Sequence, residues 1–300
     1  MNDNASPLVS VVIPTFNHAG YLGRALQSVL DQIYTNWEVF VIDNHSTDNT
    51  DDVMASFNDP RITCLKIHNE GVIAASRNAG IRAGRGEWIA FLDSDDWWTA
   101  DKLQACFERI NDQVDLIYHD IEIVTGQSRL FRRKTIKSWQ VKTPVFMDLL
   151  LKGNSIVNSS VLVRRRLLEQ IGGIDENVGM IAAEDYNTWL RIAKLTDQFI
   201  YLPRRLGFYL IHNQSLSQKG TARSERHAVA EFTLGISEKQ KFRIEAGFKY
   251  TEGHSNYLSG NYPKAKEDLL FSITHGRLIL KIKALVYLLI LVGRKNDVEV

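Results

Sequence analysis

Along residues 8–92, short apolar runs alternate with stretches in which apolar residues return every three or four positions. "LVSVVIP" (8–14) is a β-branched run stopped by Pro14 and predicts a strand. Tyr21, Leu22, Ala25, Leu26, Val29 and Ile33 then fall at helical spacing. "WEVFVID" (37–43) predicts a second strand, and "STDNTDDVMASF" opens a helix with Ser, Thr and Asp as capping candidates. "RITCLKI" (61–67) is a third strand, "GVIAASRNAGIRAG" a helix, and "EWIAFL" (87–92) a fourth strand. Continuous apolar strands separated by helices predict an α/β fold whose mostly parallel central sheet is covered on both faces.

From about residue 115 to 215 the pattern is less regular. It holds "VDLIYHDIEIV", a basic hairpin-like stretch, and a helix opened by "AAEDYNTWLRIAK", with Tyr186, Trp189, Leu190 and Ala193 on one face. Beyond about 221 the chain reads as wholly helical. There "NYLSGNYPKAKEDLLFSI" is similar to one tetratricopeptide-type helix–turn–helix unit, which cannot build a solenoid alone because such repeats bury their faces on one another. The expected division is 1–215 for the α/β part and 216–300 for a helical C-terminal extension.

Composition narrows the class only a little. Charge is nearly balanced, 36 Lys+Arg against 35 Asp+Glu, which argues against a nucleic-acid binder. The runs Arg132–Lys134 and Arg164–Arg166 read as solvated faces. Cys64 and Cys106 fall in a predicted strand and a predicted helix, with no CxxC spacing, as expected in a reducing compartment. "MNDNASPLVS" has no signal-peptide pattern. The longest greasy stretch, 278–292, is interrupted by Lys281 and Lys283 and falls short of the roughly 20 apolar residues a bilayer span needs. With Arg294 and Lys295 beyond it, this stretch suits either a helix lying on an anionic membrane surface or one packed against protein.

Polar residues gather where the strands end: Thr15 and Asn17 after the first, Asp43 and Asn44 after the second, Asp93 and Asp95 after the fourth. In open parallel sheets ligands bind at those carboxyl ends. "DSDD" (93–96) can serve as a turn and helix cap, which accounts for Asp96 but not for Asp93 and Asp95. Two carboxylates one residue apart can share a hard divalent cation that bridges phosphate oxygens. No GxGxxG follows the first strand and no GxxxxGK[ST] occurs, which excludes a dinucleotide oxidoreductase and a P-loop enzyme.

Four blocks in order, "VSVVIPTFNHAGYLGRALQSVLDQIYTNWEVFVIDNHSTDNT", "EGVIAASRNAGIRAGRGEWIAFLDSDDWW", "AAEDYNTWLRIA" and "LGFYLIHNQSLS", resemble family 2 glycosyltransferases of the GT-A fold over roughly residues 8–215. The resemblance implies a nucleotide site built from Pro14, Thr15, Asn17, Asp43, Asn44, Arg77, Asp93 and Ser94. Asn44 stands where a second Asp is frequent, and Arg77 is expected to pair with phosphate. It further implies metal ligation by Asp95 and His212, with Mn²⁺ or Mg²⁺, and Asp96 as a neighbour. Trp97 and Trp98 become a wall for sugar or acceptor, or one of them core. Asp185 becomes the general base, with Glu184 positioning acceptor or donor and Trp189 anchoring the helix. Leu210 replaces a frequent Arg in the last block.

The implied activity is inverting transfer of a sugar from a nucleoside-diphosphate sugar, UDP-linked in the first instance, to a glycan or lipid-linked acceptor in bacterial surface polysaccharide synthesis. The implied location is cytoplasmic, with peripheral contact on the inner membrane face. A non-catalytic nucleotide-sugar-binding scaffold acting through the helical tail is the rival reading.

Overall fold

The computed structural model describes residues 6–125, 134–212 and 221–296, with side chains to Leu291. The chain divides into two compact units, Met1–Phe146 with Ser155–Asn213, and Met147–Asn154 with Gln214–Val300. The second unit thus takes up a short segment from inside the stretch expected to be α/β.

In the first unit the strands are β1 (Val9–Thr15), β2 (Trp37–Asp43), β3 (Ile62–Lys66), β4 (Trp88–Phe91), β5 (Trp97–Trp98), β6 (Leu116–Thr125), β7 (Lys134–Ile136), β8 (Leu162–Arg164) and β9 (Phe199–Ile211). They form one mixed sheet in the order β3-β2-β1-β4-β8-β6-β9-β5, with β7 paired to β6. The ladder is parallel from β3 through β4 and again between β6 and β9. It is antiparallel where β8, β5 and β7 join.

Pro14 does not stop the first strand, which continues to Thr15 with Pro14 opposite Ile42. The β4 side of β1 closes when Leu92 N–H donates to Val12 O. Pro14, two residues on, faces that same side beyond the last rung, so its missing N–H costs no ladder bond.

Helix α1 (Ala19–Leu30) buries Leu22, Ala25, Leu26 and Val29, while Ile33 lies past its end and is exposed. Leu22 and Leu26 join Val9, Val11 and Ile13 of β1 and Leu103 and Cys106 of α4 (Lys102–Phe107) in one apolar cluster. Val12 points the other way, toward α3 (Ile73–Ala83). A Cβ on Gly80 would come within 2.4 Å of Val12 Cγ1, so only glycine lets α3 lie this close to β1. That contact fixes the height of Arg77 one turn earlier. The remaining helices of this unit are α2 (Thr50–Ala55), α6 (Arg165–Gln170) and α7 (Glu184–Ala193), and α5 (Val145–Lys152) spans the division between the units. Trp189 of α7 is fully buried.

The second unit contains α8 (Ala222–Ala230), α9 (Glu238–Leu258), α10 (Tyr262–His275) and α11 (Leu278–Asn296). Ser237 and Gln240 form a capping box at the start of α9, and Asn261 caps α10. Asp268 of α10 is buried and accepts from Lys249 Nζ at 2.9 Å and Asn256 Nδ2 at 3.0 Å, both on α9. Ala265 and Leu269 of α10 pack with Ala284, Leu288 and Leu291 of α11.

Candidate active site

The carboxyl ends of β1, β2 and β4 meet where the strand order turns from β1 outward in both directions, the place where open α/β sheets bind ligands. Among the described residues, the non-glycine positions at positive φ are Asn17 (52°), His45 (51°), Glu70 (51°) and Ala182 (69°). The first three follow β1, β2 and β3, and the last precedes α7. Such backbone costs of order 1 kcal/mol per residue and concentrates at functional loops.

The loops after β1 and β2 are tied together. Asn17 Oδ1 accepts from Thr47 N at 2.7 Å, and Asn17 N–H donates to Ser46 Oγ at 2.8 Å. Asp43 is fully buried, and its Oδ1 accepts from Ser46 N at 3.0 Å and Ser46 Oγ at 2.6 Å. Through Oδ1 the Asp43 carboxylate braces its own loop, while its Oδ2 has no hydrogen-bond partner. Pro14 and Thr15 are buried too, and Thr15 Oγ1 has no hydrogen-bond partner. Asn44 is half-buried, its Oδ1 accepting from Asn69 N at 2.9 Å. Phe16 is 52% exposed, and the exposed rings of His45 and His68 stack at 3.8 Å between centroids. Aromatic rings exposed on the loops after β1, β2 and β3 were not drawn from the sequence.

The "DSDD" loop resolves its own repulsion by giving each carboxylate a different partner. Asp93 Oδ1 accepts from Arg77 Nη2 at 2.7 Å, and its backbone N–H donates to Ser159 Oγ at 3.1 Å. Asp95 Oδ2 lies 2.9 Å from His212 Nε2, and its carbonyl accepts from Arg24 Nη2 at 3.2 Å. Asp96 is buried, with Oδ2 accepting from Ser159 Oγ at 2.6 Å and Oδ1 from Leu210 N at 3.2 Å. Burial, then the charges of Asp93 and Asp95, hold the Asp96 carboxyl well above the usual carboxylate range. Asp96 fastens the loop to β9, and Leu210 serves through its backbone amide.

Ser94 is buried, with Oγ at 2.8 Å from His18 Nδ1. His18 also stands edge-on to His212, at 5.8 Å between ring centroids, while Tyr21 stacks on His212 at 4.9 Å. Burial lowers the His18 pKa against the opposing pull of Asp95, which favours the neutral ring. His18 was missed in the sequence, although a titratable side chain directly after "PTFN" was a usable signal.

Arg77 departs from its expected role. Its side chain is buried, and its two terminal nitrogens bond Asp93 and Glu184 Oε1, residues of the acidic loop and of α7. Asn158, with its amide oxygen turned inward, accepts from Arg77 Nε at 3.2 Å. Burial works against the guanidinium charge, but Asp93 and Glu184 outweigh it and raise its pKa. A guanidinium held on two carboxylates inside the protein is not presented to phosphate; it joins two acidic segments.

At the start of α7, Glu184 is buried and its Oε2 has no hydrogen-bond partner. Asp185 is half-buried, and its Oδ1 accepts from Tyr186 N at 2.6 Å. Burial and the neighbouring Glu184 charge, only partly offset by Arg77, push the Asp185 pKa up to about 7.

The two tryptophans separate. Trp98 is core: it is buried, its Nε1 donates to Ser159 O at 2.8 Å, and Lys102 Nζ sits 3.9 Å from its ring centroid. Trp97 is half-buried between the Arg24 guanidinium, 3.5 Å from its ring, and Phe208, stacked at 4.9 Å.

Among the described residues no group of three or more His, Cys, Asp or Glu is arranged to hold a metal. The Asp95–His212 pair nevertheless fits as two adjacent ligands. Asp95 Oδ2 and His212 Nε2 are hydrogen-bonded to each other at 2.9 Å, an oxygen and a nitrogen donor that a cation entering here would take from one another. Such cations commonly take one or two protein ligands and complete their shell with phosphate and water. The serines of the last expected block lie beyond His212, outside the described residues, as do Arg132 and Arg133.

The β-1,3-glucosyltransferase WfgD of Escherichia coli, named for UDP-Glc and α-D-GlcNAc-diphosphoundecaprenol, is 31% identical over 62% of this chain and 70% of its own length. TuaG of Bacillus subtilis, a putative teichuronic acid biosynthesis glycosyltransferase, is 30% identical over 71% of this chain and 83% of its own. TarS residues 1–349 from S. aureus, solved with UDP-GlcNAc, superimpose with a TM-score of 0.63 at 19% identity, over 91% of this chain and 82% of that one. The last likeness speaks for the fold, which is GT-A. The glycosyl transferase family 2 model matches residues 10–172. With more than half of its length inside that match, and an acidic crevice at the carboxyl edge of its sheet, the chain belongs to glycosyl transferase family 2.

Proposed function

We propose that the protein is an inverting transferase. It moves a sugar from a UDP-linked donor to a hydroxyl of a glycan or lipid-linked acceptor in bacterial surface polysaccharide synthesis, with Asp185 as general base. The observation that carries the proposal is the Arg77 bridge. Arg77, 107 positions from Glu184, draws the acidic loop after β4 and the acidic pair of α7 into one crevice.

The donor's base lies at the β1 and β2 loops, against Phe16 and the stacked His45 and His68 rings. Aromatic stacking on a base contributes about 1–3 kcal/mol. Asn44, whose oxygen is already taken by Asn69, offers its amide N–H groups as donors to a base carbonyl. Uracil is favoured because relatives of this chain are named for UDP-sugars.

Asp95 and His212 would hold Mg²⁺ or Mn²⁺, and such an ion supplies positive charge to a departing diphosphate. Arg77 keeps Asp93 and Glu184 at fixed positions. Glu184 Oε2, buried without a partner, orients a hydroxyl of acceptor or donor sugar. Asp185 accepts the proton as the acceptor oxygen forms its bond to the anomeric carbon and the bond from that carbon to the diphosphate breaks. The attack comes from the face opposite the leaving group, so the configuration inverts. A base with a pKa of about 7 suits this step: it is substantially ionised at neutral pH and still basic enough to take the proton. Trp97 walls the sugar side.

Thermal shift of the full chain against UDP-, GDP- and dTDP-sugars with Mn²⁺ tests the donor assignment. A donor at a hundred times its Kd stabilises the fold by about 2.7 kcal/mol, so a UDP-sugar should raise Tm by several degrees. No shift with any nucleotide sugar would remove the basis for a donor site and favour a protein working through its helical unit.

A further inference from the structure

The solvent side of α11 is apolar. Ile279, Ile282, Leu285, Val286, Leu289 and Ile290 are each 41–63% exposed. The opposite side carries Ala284, Leu288 and Leu291, packed into the core of the helical unit. At about 100° per residue, the exposed aliphatics from Leu285 round to Ile290 cover an arc of about 140°. Lys281 falls just outside one edge of that arc and Lys283 just outside the other. A buried face, an exposed aliphatic face and a lysine on each border are three sectors of one helix.

We propose that α11 lies flat on an anionic lipid surface, its aliphatic arc in the acyl boundary and its border lysines among the headgroups. Two observations select lipid over a protein partner, and a third says how the helix meets it. First, the arc is purely aliphatic. The anchors of protein interfaces are mostly Trp, Tyr and Arg, and Tyr287, the aromatic of this helix, turns inward, its ring 4.9 Å from His254 and 5.1 Å from Tyr257. Second, the charge is one-sided: the sequence has no acidic residue between Asp268 and Asp297, while Arg277, Lys281, Lys283, Arg294 and Lys295 fall in that interval. Anionic headgroups attract such a segment, and each basic residue near the surface strengthens binding by about fivefold. Third, among the described residues no helix is long and apolar enough to cross a membrane, so the lipid contact is one of lying on the surface.

This surface deepens the lipid-linked-acceptor reading. It does not depend on that reading, because the exposed arc is present whatever the acceptor. The test accordingly needs neither donor nor turnover. The full chain is sedimented with vesicles of phosphatidylglycerol and phosphatidylcholine, and with phosphatidylcholine alone, at low and high salt, while its mass in solution is measured without lipid. Binding to the anionic vesicles that weakens with salt, and at least tenfold with I282D/L289D, is expected. Should that variant disturb the helical unit, K283E at the exposed border should still weaken binding at least fivefold with an unchanged circular dichroism spectrum. A chain that stays in the supernatant with anionic vesicles overturns the proposal. So does a stable dimer that I282D/L289D converts to monomer without any vesicle binding, which would assign the arc to a second copy.

Discussion

Two acidic clusters face each other in this molecule, and they manage their charge in opposite ways. In the loop after β4 the carboxylates are divided among separate partners: Arg77 for Asp93, His212 for Asp95, and hydroxyl and amide donors for Asp96. At the start of α7, two adjacent carboxylates share the influence of one guanidinium, which bonds Glu184 while Asp185 is left with a raised pKa. Asp95, paired with His212, is the carboxylate of this loop that would hold a cation. A carboxylate raised toward neutral pH can exchange a proton. On this difference rest the proposed donor site at the first cluster and the proposed proton transfer at the second, from residue types that look alike in the sequence.

Arg77 belongs to both clusters, so its loss should erase the contrast and have the largest effect. R77M leaves the buried Glu184 and the half-buried Asp93 without their counter-ion, and breaking a buried pair on one side costs about 3–5 kcal/mol. Denaturant unfolding should register that loss. Whatever folded enzyme remains should have its Asp185 pKa raised further, because the Arg77 charge lowers it. An R77M protein as stable as the parent would mean that the bridge does not hold the clusters together.

The next effect sharpens the first cluster alone. D95N should reduce transfer by about a hundredfold or more and flatten its dependence on added Mn²⁺, while H212A, removing the imidazole beside Asp95, should reduce it less. Donor titrations with and without EDTA separate this from a folding defect. Full activity of D95N in EDTA would take the cation out of the account. The smallest effect concerns the brace. S159A removes a hydrogen bond to the buried Asp96 and should cost about 1–2 kcal/mol in unfolding free energy, with transfer changed severalfold at most.

Much of the first unit was legible because its central strands are buried on both faces and therefore read as unbroken β-branched and aromatic runs. β2 occupies the residues of "WEVFVID", and β4 lies within "EWIAFL". The later strands were less so. β8 has three residues and β5 two, too short for any periodicity, and β6 against β9 changes register around Asp120. At the site, residue types at strand ends pointed to the crevice, but partners did not follow from the sequence. Whether an arginine faces phosphate or two carboxylates depends on helix packing at Gly80, and whether Asp43 faces a ligand or its own loop depends on Ser46. The separation of Trp97 from Trp98 follows from strand alternation in β5, which becomes visible once Trp97 is paired with Phe208 and Trp98 with Gly207.

Asp185 is proposed to take the acceptor proton, and the pH dependence of kcat/KM for the wild type and D185N decides whether it does. The base works ionised, so wild-type activity should climb with pH through an apparent pKa of about 7. D185N should lack that limb and run about two to four orders of magnitude slower, with donor affinity retained. Stability should move the other way. Ionising Asp185 is penalised in the folded state, so its contribution is full below the unfolded value of about 3.9 and lost as pH rises through about 7. The Tm of D185N relative to wild type should therefore increase between pH 5 and pH 8. A D185N enzyme that turns over at the wild-type rate with the same rising limb would contradict the account and move the search for the base to Glu184.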